Sequence, residues 1–247
     1  MHNTHAVGGV SLDAADAARL TAFWRVALGD HPDAIVRVTE GVPARSEKGR
    51  VHFGVRLRPA GPEDLLEAGG SVVRYPGPDP WYVLADPEGN EFTAWPPVEG
   101  RPAGAFELVV RCQCPNRLAH WWSRLLGGEV HDEGGASVVT GMPGFPWEFL
   151  VFQSAEEPKR APNRIRWHVR LTEDGPGALL AVGATVLNDS GDDWLMADPE
   201  GNEFIAHAGR ISDGSPPGRM ASGRSAARRR TAPPPPGLRP NYPRKAR

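Results

Sequence analysis

The sequence predicts an α+β protein built by tandem duplication. Residues 85–92, reading Ala-Asp-Pro-Glu-Gly-Asn-Glu-Phe, recur unchanged as residues 197–204, an offset of 112. Segments with apolar residues at helical spacing alternate with short runs of strand-like alternation, in the same order in each copy.

The repeat extends beyond that octapeptide. Val55-Arg56-Leu57 matches Val169-Arg170-Leu171 at an offset of 114. Upstream, Leu20, Phe23 and Trp24 with Leu28-Gly29 match Leu118, Trp121 and Trp122 with Leu126-Gly127 at an offset of 98. The difference between these offsets means that the first copy lacks about sixteen residues after Gly29. Two homologous domains are expected, residues 5–98 and 104–208, each large enough to bury one modest core.

The elements follow in order. Leu20, Phe23, Trp24, Ala27 and Leu28 mark a helix over 16–28, which Gly29 stops. Leu118, Trp121, Trp122, Leu125 and Leu126 mark its counterpart before Gly127-Gly128, and the tryptophans read as core. Shorter helices over 63–68 and 177–182 each precede a glycine suited to a left-handed cap. Strands are expected at 7–12, 34–39, 50–57, 71–74, 81–85 and 91–95 in the first copy. In the second they fall at 105–112, 136–140, 147–152, 164–171, 184–188, 194–197 and 203–207. Asp-Pro-Glu-Gly-Asn supplies turn residues throughout and predicts a hairpin in each copy.

Composition narrows the class. The chain has 247 residues, 40% hydrophobic, with net charge −2. No apolar run approaches the roughly 18 residues of a membrane span, and Met1-His2-Asn3-Thr4-His5 does not read as a signal peptide. Cys112 and Cys114, separated by one residue, make no disulfide framework, so a cytoplasmic protein is expected. Residues 209–247 carry ten Lys/Arg against Asp213, a charge of +9, which leaves −11 on the rest. That Pro- and Arg-rich tail reads as disordered, with at most weak attraction to nucleic acid.

The helix ending Phe23-Trp24…Leu28-Gly29, the strand around Arg50-Val51-His52, the Gly69-Gly70 turn and Asp-Pro-Glu-Gly-Asn-Glu-Phe resemble the glyoxalase/bleomycin-resistance/dioxygenase (vicinal oxygen chelate) superfamily, in its glyoxalase-like branch. Phe152-Gln153…Glu157-Pro158-Lys159…Asn163-Arg164 adds to this likeness. The resemblance implies paired βαβββ modules with curled mixed sheets around a cleft and helices outside. It also implies one such pair within each copy, the first copy having lost at least one strand and with it, in part, its cleft.

The resemblance further implies a divalent metal held by His, Gln or Glu on the first and last strands of paired modules. The implied last-strand positions are Thr93 and Ile205, and the second-module positions fall near His52 and Arg166. Ile has no donor atom and Arg cannot ligate, so no cofactor is expected. The alternative is an unusual metal set of His168, Glu203 and His207.

Strand alternation gives candidate ligand-binding residues. His52 and Arg56 in the first copy, and Arg166, His168 and Arg170 in the second, oppose the apolar face. Glu203 and His207 are expected among the three cations, and Trp95 and Glu91 hold the matching positions. The expectation is a metal-independent protein that binds a small anionic or polar organic molecule in the second domain, with a homodimer as a further option. A metal-dependent lyase, isomerase or dioxygenase is the alternative, and no catalytic residue is assigned. Cys112, beside Arg111, reads as incidental.

Overall fold

The computed structural model describes residues 6–29, 35–43, 49–171, 175–191 and 193–208. The expected tail lies outside them. The first copy contains β1 (Ala6–Asp13), α1 (Ala17–Ala27), β2 (Ile35–Thr39), β3 (Val51–Arg56), α2 (Glu63–Glu67), β4 (Ser71–Arg74), β5 (Tyr82–Ala85) and β6 (Glu91–Trp95). The second opens with β7 (Gly104–Cys112), α3 (Pro115–Leu126), β8 (Glu129–Glu133), β9 (Ala136–Thr140) and β10 (Phe149–Ser154). It closes with β11 (Ile165–Arg170), α4 (Gly177–Ala181), β12 (Thr185–Asp189), β13 (Asp193–Ala197) and β14 (Glu203–His207).

The strands form two mixed, open sheets, and each draws on both copies. Sheet A runs β12-β13-β14-β11-β1-β2, and sheet B runs β4-β5-β6-β3-β7-β10-β9-β8. The joins are antiparallel: β1 pairs with β11, and β3 with β7. The expectation of a module pair closed within each copy is therefore corrected. The first module of one copy pairs with the second module of the other.

The shortened module is equally clear. β2 runs parallel to β1, as β10 runs parallel to β7. β2 is thus the module's last strand, and the missing segment corresponds to β8 and β9. β8 itself was not expected from the sequence. It is an edge strand reading Glu-Val-His-Asp-Glu, and its polar exposed face conceals the alternation.

Within each copy, helix and turn lock together on the other face of the sheets. Asp86 and Asp198 are buried at the head of their hairpin turns. Asp198 accepts from the backbone N–H of Glu200 and Asn202 (both 2.9 Å), from Asn202 Nδ2 (3.0 Å) and from Trp122 Nε1 (3.3 Å). Asp86 repeats this with Glu88, Asn90 and Trp24 Nε1. Gly89 and Gly201 both adopt φ +80°, which a side chain would strain. The glutamate two residues after each Asp receives the N–H groups at the start of a helix. Glu200 takes Gln113 and Cys114 before α3, and Glu88 takes Ala15 and Asp16 before α1. The aromatic core then follows: Trp24 packs on Phe53 and Phe92, and Trp122 on Trp167 and Phe204.

Replacing Asp198 with Ala strips the acceptor from four donors and is expected to lower unfolding stability by about 3 kcal/mol or more. Glu200→Ala removes only the partner at a helix start and should cost about 1 kcal/mol. Urea unfolding of the two variants against wild type checks the order.

Candidate functional site

Because the duplication places equivalent residues on the concave faces of both sheets, the two can be compared position by position. In sheet B the face is filled. Trp81 packs on Trp95 with ring centroids 4.3 Å apart and planes tilted by 33°, and Phe106, Val109, Val138, Phe149 and Val151 pack into a second small core. Arg56 is buried over the Phe106 ring at 4.3 Å, and it donates to Pro102 O and Glu148. Burial, partly offset by Glu148, holds its pKa below the usual value. Gly54 is needed here, since a Cβ would overlap the buried Glu107 carboxylate. His52 lies half-buried at the paired position to Val109. The candidates His52, Arg56 and Trp95 thus belong to a packed face.

Sheet A carries polar groups at the same places. Asp193 and His207 stand where sheet B has Trp81 and Trp95, His168 where it has Gly54, and Ser11 where it has Val109. These four make one continuous chain. Ser11 Oγ lies 2.5 Å from His168 Nε2, His168 Nδ1 lies 2.6 Å from His207 Nε2, and His207 Nδ1 lies 2.5 Å from Asp193 Oδ1. The two rings stack, 18° apart in plane. A carboxylate only accepts, so His207 Nδ1–H donates to Asp193. In the neutral rings His168 Nδ1–H then donates to His207 Nε2, and the Ser11 hydroxyl donates to His168 Nε2. Every hydrogen bond points the same way, from a buried hydroxyl to a half-buried carboxylate.

Burial, then the neighbouring His207 and Arg37, push the His168 pKa down to about 4. For Asp193, burial acts upward, but the hydrogen bond and charge of His207 and the charge of Arg37 prevail and hold its carboxyl below the usual range. The Arg37–Asp193 ion pair spans 3.5 Å although β2 and β13 are separated by three strands, so sheet A curls until its walls meet.

The remaining candidates divide. Arg166 is ion-paired with Asp13, a partner that the sequence reading missed. Arg170 is exposed and forms no ion pair among the described residues. Glu203 is buried on the same face of β14 as His207, at the other end of the strand, and its carboxylate is engaged there. It pairs with Lys159 and accepts from the Asn163 N–H at 3.0 Å. The expectation that Glu203 partners the basic residues of β11 is corrected in its bonding: Lys159 and the Asn163 N–H hold its carboxylate. For a divalent ion this donor set is poor, because both nitrogens of each imidazole are hydrogen-bonded and Glu203 is neutralised elsewhere. Among the described residues no group of three His, Cys, Asp or Glu converges on a metal position. Cys112 is buried, which pushes its thiol up, and nearby Glu200 and Asp198 add to this, so it is no nucleophile.

This architecture of curled sheets built from paired βαβββ modules has known counterparts. A family model described as "Glyoxalase-like domain" matches twice, over residues 9–95 and 107–207, and the chain belongs to that family. Among solved structures, a glyoxalase I mutant from Zea mays is 13% identical with a TM-score of 0.58, covering 84% of this chain and 94% of that one. A Bacillus subtilis protein proposed to be a dioxygenase is 12% identical with a TM-score of 0.54, covering 84% and 86%. At these identities the likeness is one of fold. No curated protein matches the sequence. No helix among the described residues is long and apolar enough to cross a membrane.

The His168 pKa has a signed consequence. A folded value of about 4 lies below the ordinary 6.5, so the unfolded chain binds the proton first. The associated stability is present above pH 6.5 and is lost as pH falls toward 4, by up to about 3 kcal/mol. Asp198, pushed up to about 6 by burial, acts oppositely, losing stability as pH rises from 3.8 to 6. The His168 contribution is therefore read as a difference. Between pH 7 and pH 4.5, wild type should lose more urea stability than His168→Gln.

Proposed function

We propose that this protein binds a small anionic organic molecule on the concave face of sheet A, without a metal. The supporting observation is the contrast between equivalent faces. Sheet B packs the apolar Trp81, Trp95 and Val109 together, where sheet A holds the hydrogen-bonded polar groups of Asp193, His207 and Ser11. The missing hairpin leaves that face short of two strands on one side. Arg170 stands exposed beside His207, its partner in the β11–β14 ladder, and supplies a guanidinium for a carboxylate or phosphate. Arg37 is 55% exposed, and its long ion pair with Asp193 is of the kind worth less than about 1 kcal/mol. A ligand carboxylate can replace Asp193 on Arg37 at small cost. The occupied imidazole nitrogens and the diversion of Glu203 to Lys159 support metal independence.

The directed chain from Ser11 to Asp193 favours a second reading, an enzyme that moves a proton along it. Under that reading His168 and His207 are acid–base groups, and no divalent ion is needed.

The test is titration of 15N-labelled protein with small mono- and dicarboxylic acids, followed by amide shifts. Saturable binding is expected to perturb β11 and β14, and Arg170→Gln should weaken it about tenfold. Binding unchanged by both Arg170→Gln and His207→Ala would remove the proposal. Turnover of a bound acid that is lost in His207→Ala, with binding retained, would favour the enzyme.

A further inference from the structure

A separate cavity lies away from the sheet A face. It has a volume of about 650 Å³ and is lined by the starts of β3 and β11, the ends of β7 and β10, and the connection over 155–164. That volume lies in the range of small-molecule sites. None of Ser11, His168, Arg170, Asp193 or His207 lines it.

The lining concentrates cationic and amide donors. Arg50 and Arg111 are neighbours there. Arg50 donates to backbone oxygens, to Arg111 O at 3.2 Å and to Glu157 O. Neither guanidinium is ion-paired with a carboxylate among the described residues. Burial, then the charge of Arg111, lowers the Arg50 pKa, the electrostatic mark of two cations held together. Asn163 also lines the cavity. Its side chain is 98% buried by residue exposure of 2%, and neither its Oδ1 nor its Nδ2 has a partner. The same holds for Arg164 Nη1, although Nη2 of that guanidinium is taken by Glu88 and Asp13 O. Unpaired buried donors are costly, and a ligand that receives them removes the cost.

Three carboxylates share the rim. Glu91 and Glu156 have interactions of their own, and Glu157 is exposed. Lys159 is committed to Glu203, whereas Arg160 is exposed at the edge.

We propose that this cavity is a second ligand site, for small molecules carrying a phosphoryl group, held by Arg50, Arg111 and Arg160 with Asn163 and Arg164 on its lining. Several planar guanidinium forks beside an amide suit a compact dianion with three acceptor oxygens better than a single carboxylate.

The test is isothermal titration of the full chain with inorganic pyrophosphate at moderate ionic strength. One saturable site per chain is expected. Arg111→Gln and Arg160→Gln should each weaken it about tenfold, while Arg25→Gln, the same charge change on the exposed side of α1, leaves it unaltered. Absence of saturable binding would overturn the proposal. So would equal binding in all four proteins, which would assign the anion to the basic residues of 209–247. If Arg111→Gln does not fold, Arg160→Gln decides alone, since its side chain is solvent-exposed.

Discussion

The structure depends on the buried carboxylate at the head of each Asp-Pro-Glu-Gly-Asn turn. Asp86 and Asp198 each gather two backbone amides, an asparagine amide and a tryptophan indole from the first helix of the same copy, α1 or α3. Taking a carboxylate out of water is unfavourable, and burial does raise both pKa values, Asp198 to about 6. The convergent donors offset that cost and, in doing so, fix the helix of one module against the last hairpin of the next. With helix and turn locked on one face, the edges of β1, β3, β7 and β11 remain to be paired. They pair across the copies.

That exchange explains how one duplicated scaffold holds two unlike faces. Each concave face combines a first module from one copy with a second module from the other, so substitutions in either copy affect both. In sheet B they have filled the face with aromatic rings, leaving Gly54 as the gap that admits Glu107. In sheet A the equivalent positions hold a hydrogen-bonded line of Ser11, His168, His207 and Asp193, and the sheet is two strands shorter. The polar chemistry is thus concentrated where the scaffold has been cut back.

The duplication, the helices and the octapeptide hairpins were legible in the sequence because local periodicity and turn chemistry encode them. The exchange of modules was not. β1 shows the same alternation whichever strand pairs with it, and nothing local in Val10, Ser11 and Leu12 names Trp167, Arg166 and Ile165 as partners. Strand alternation correctly grouped Arg166, His168 and Arg170 on one face, but it could not supply their counterparts. Asp13, Ser11 and Asp193 are ordinary polar residues in sequence, and they become partners only through long-range pairing. The partner of Glu203 was not legible because Lys159 lies in an irregular connection with no periodicity to read.

The central functional claim is that the sheet A face works with its own hydrogen-bonded side chains and without a divalent ion. Native mass spectrometry of the full chain, purified without chelator or added metal, tests it most directly. The account predicts a mass free of stoichiometric divalent metal, with His168 and His207 still protected in hydrogen exchange of their strands. One tightly held divalent ion per chain, lost together in His168→Ala and His207→Ala, would contradict it.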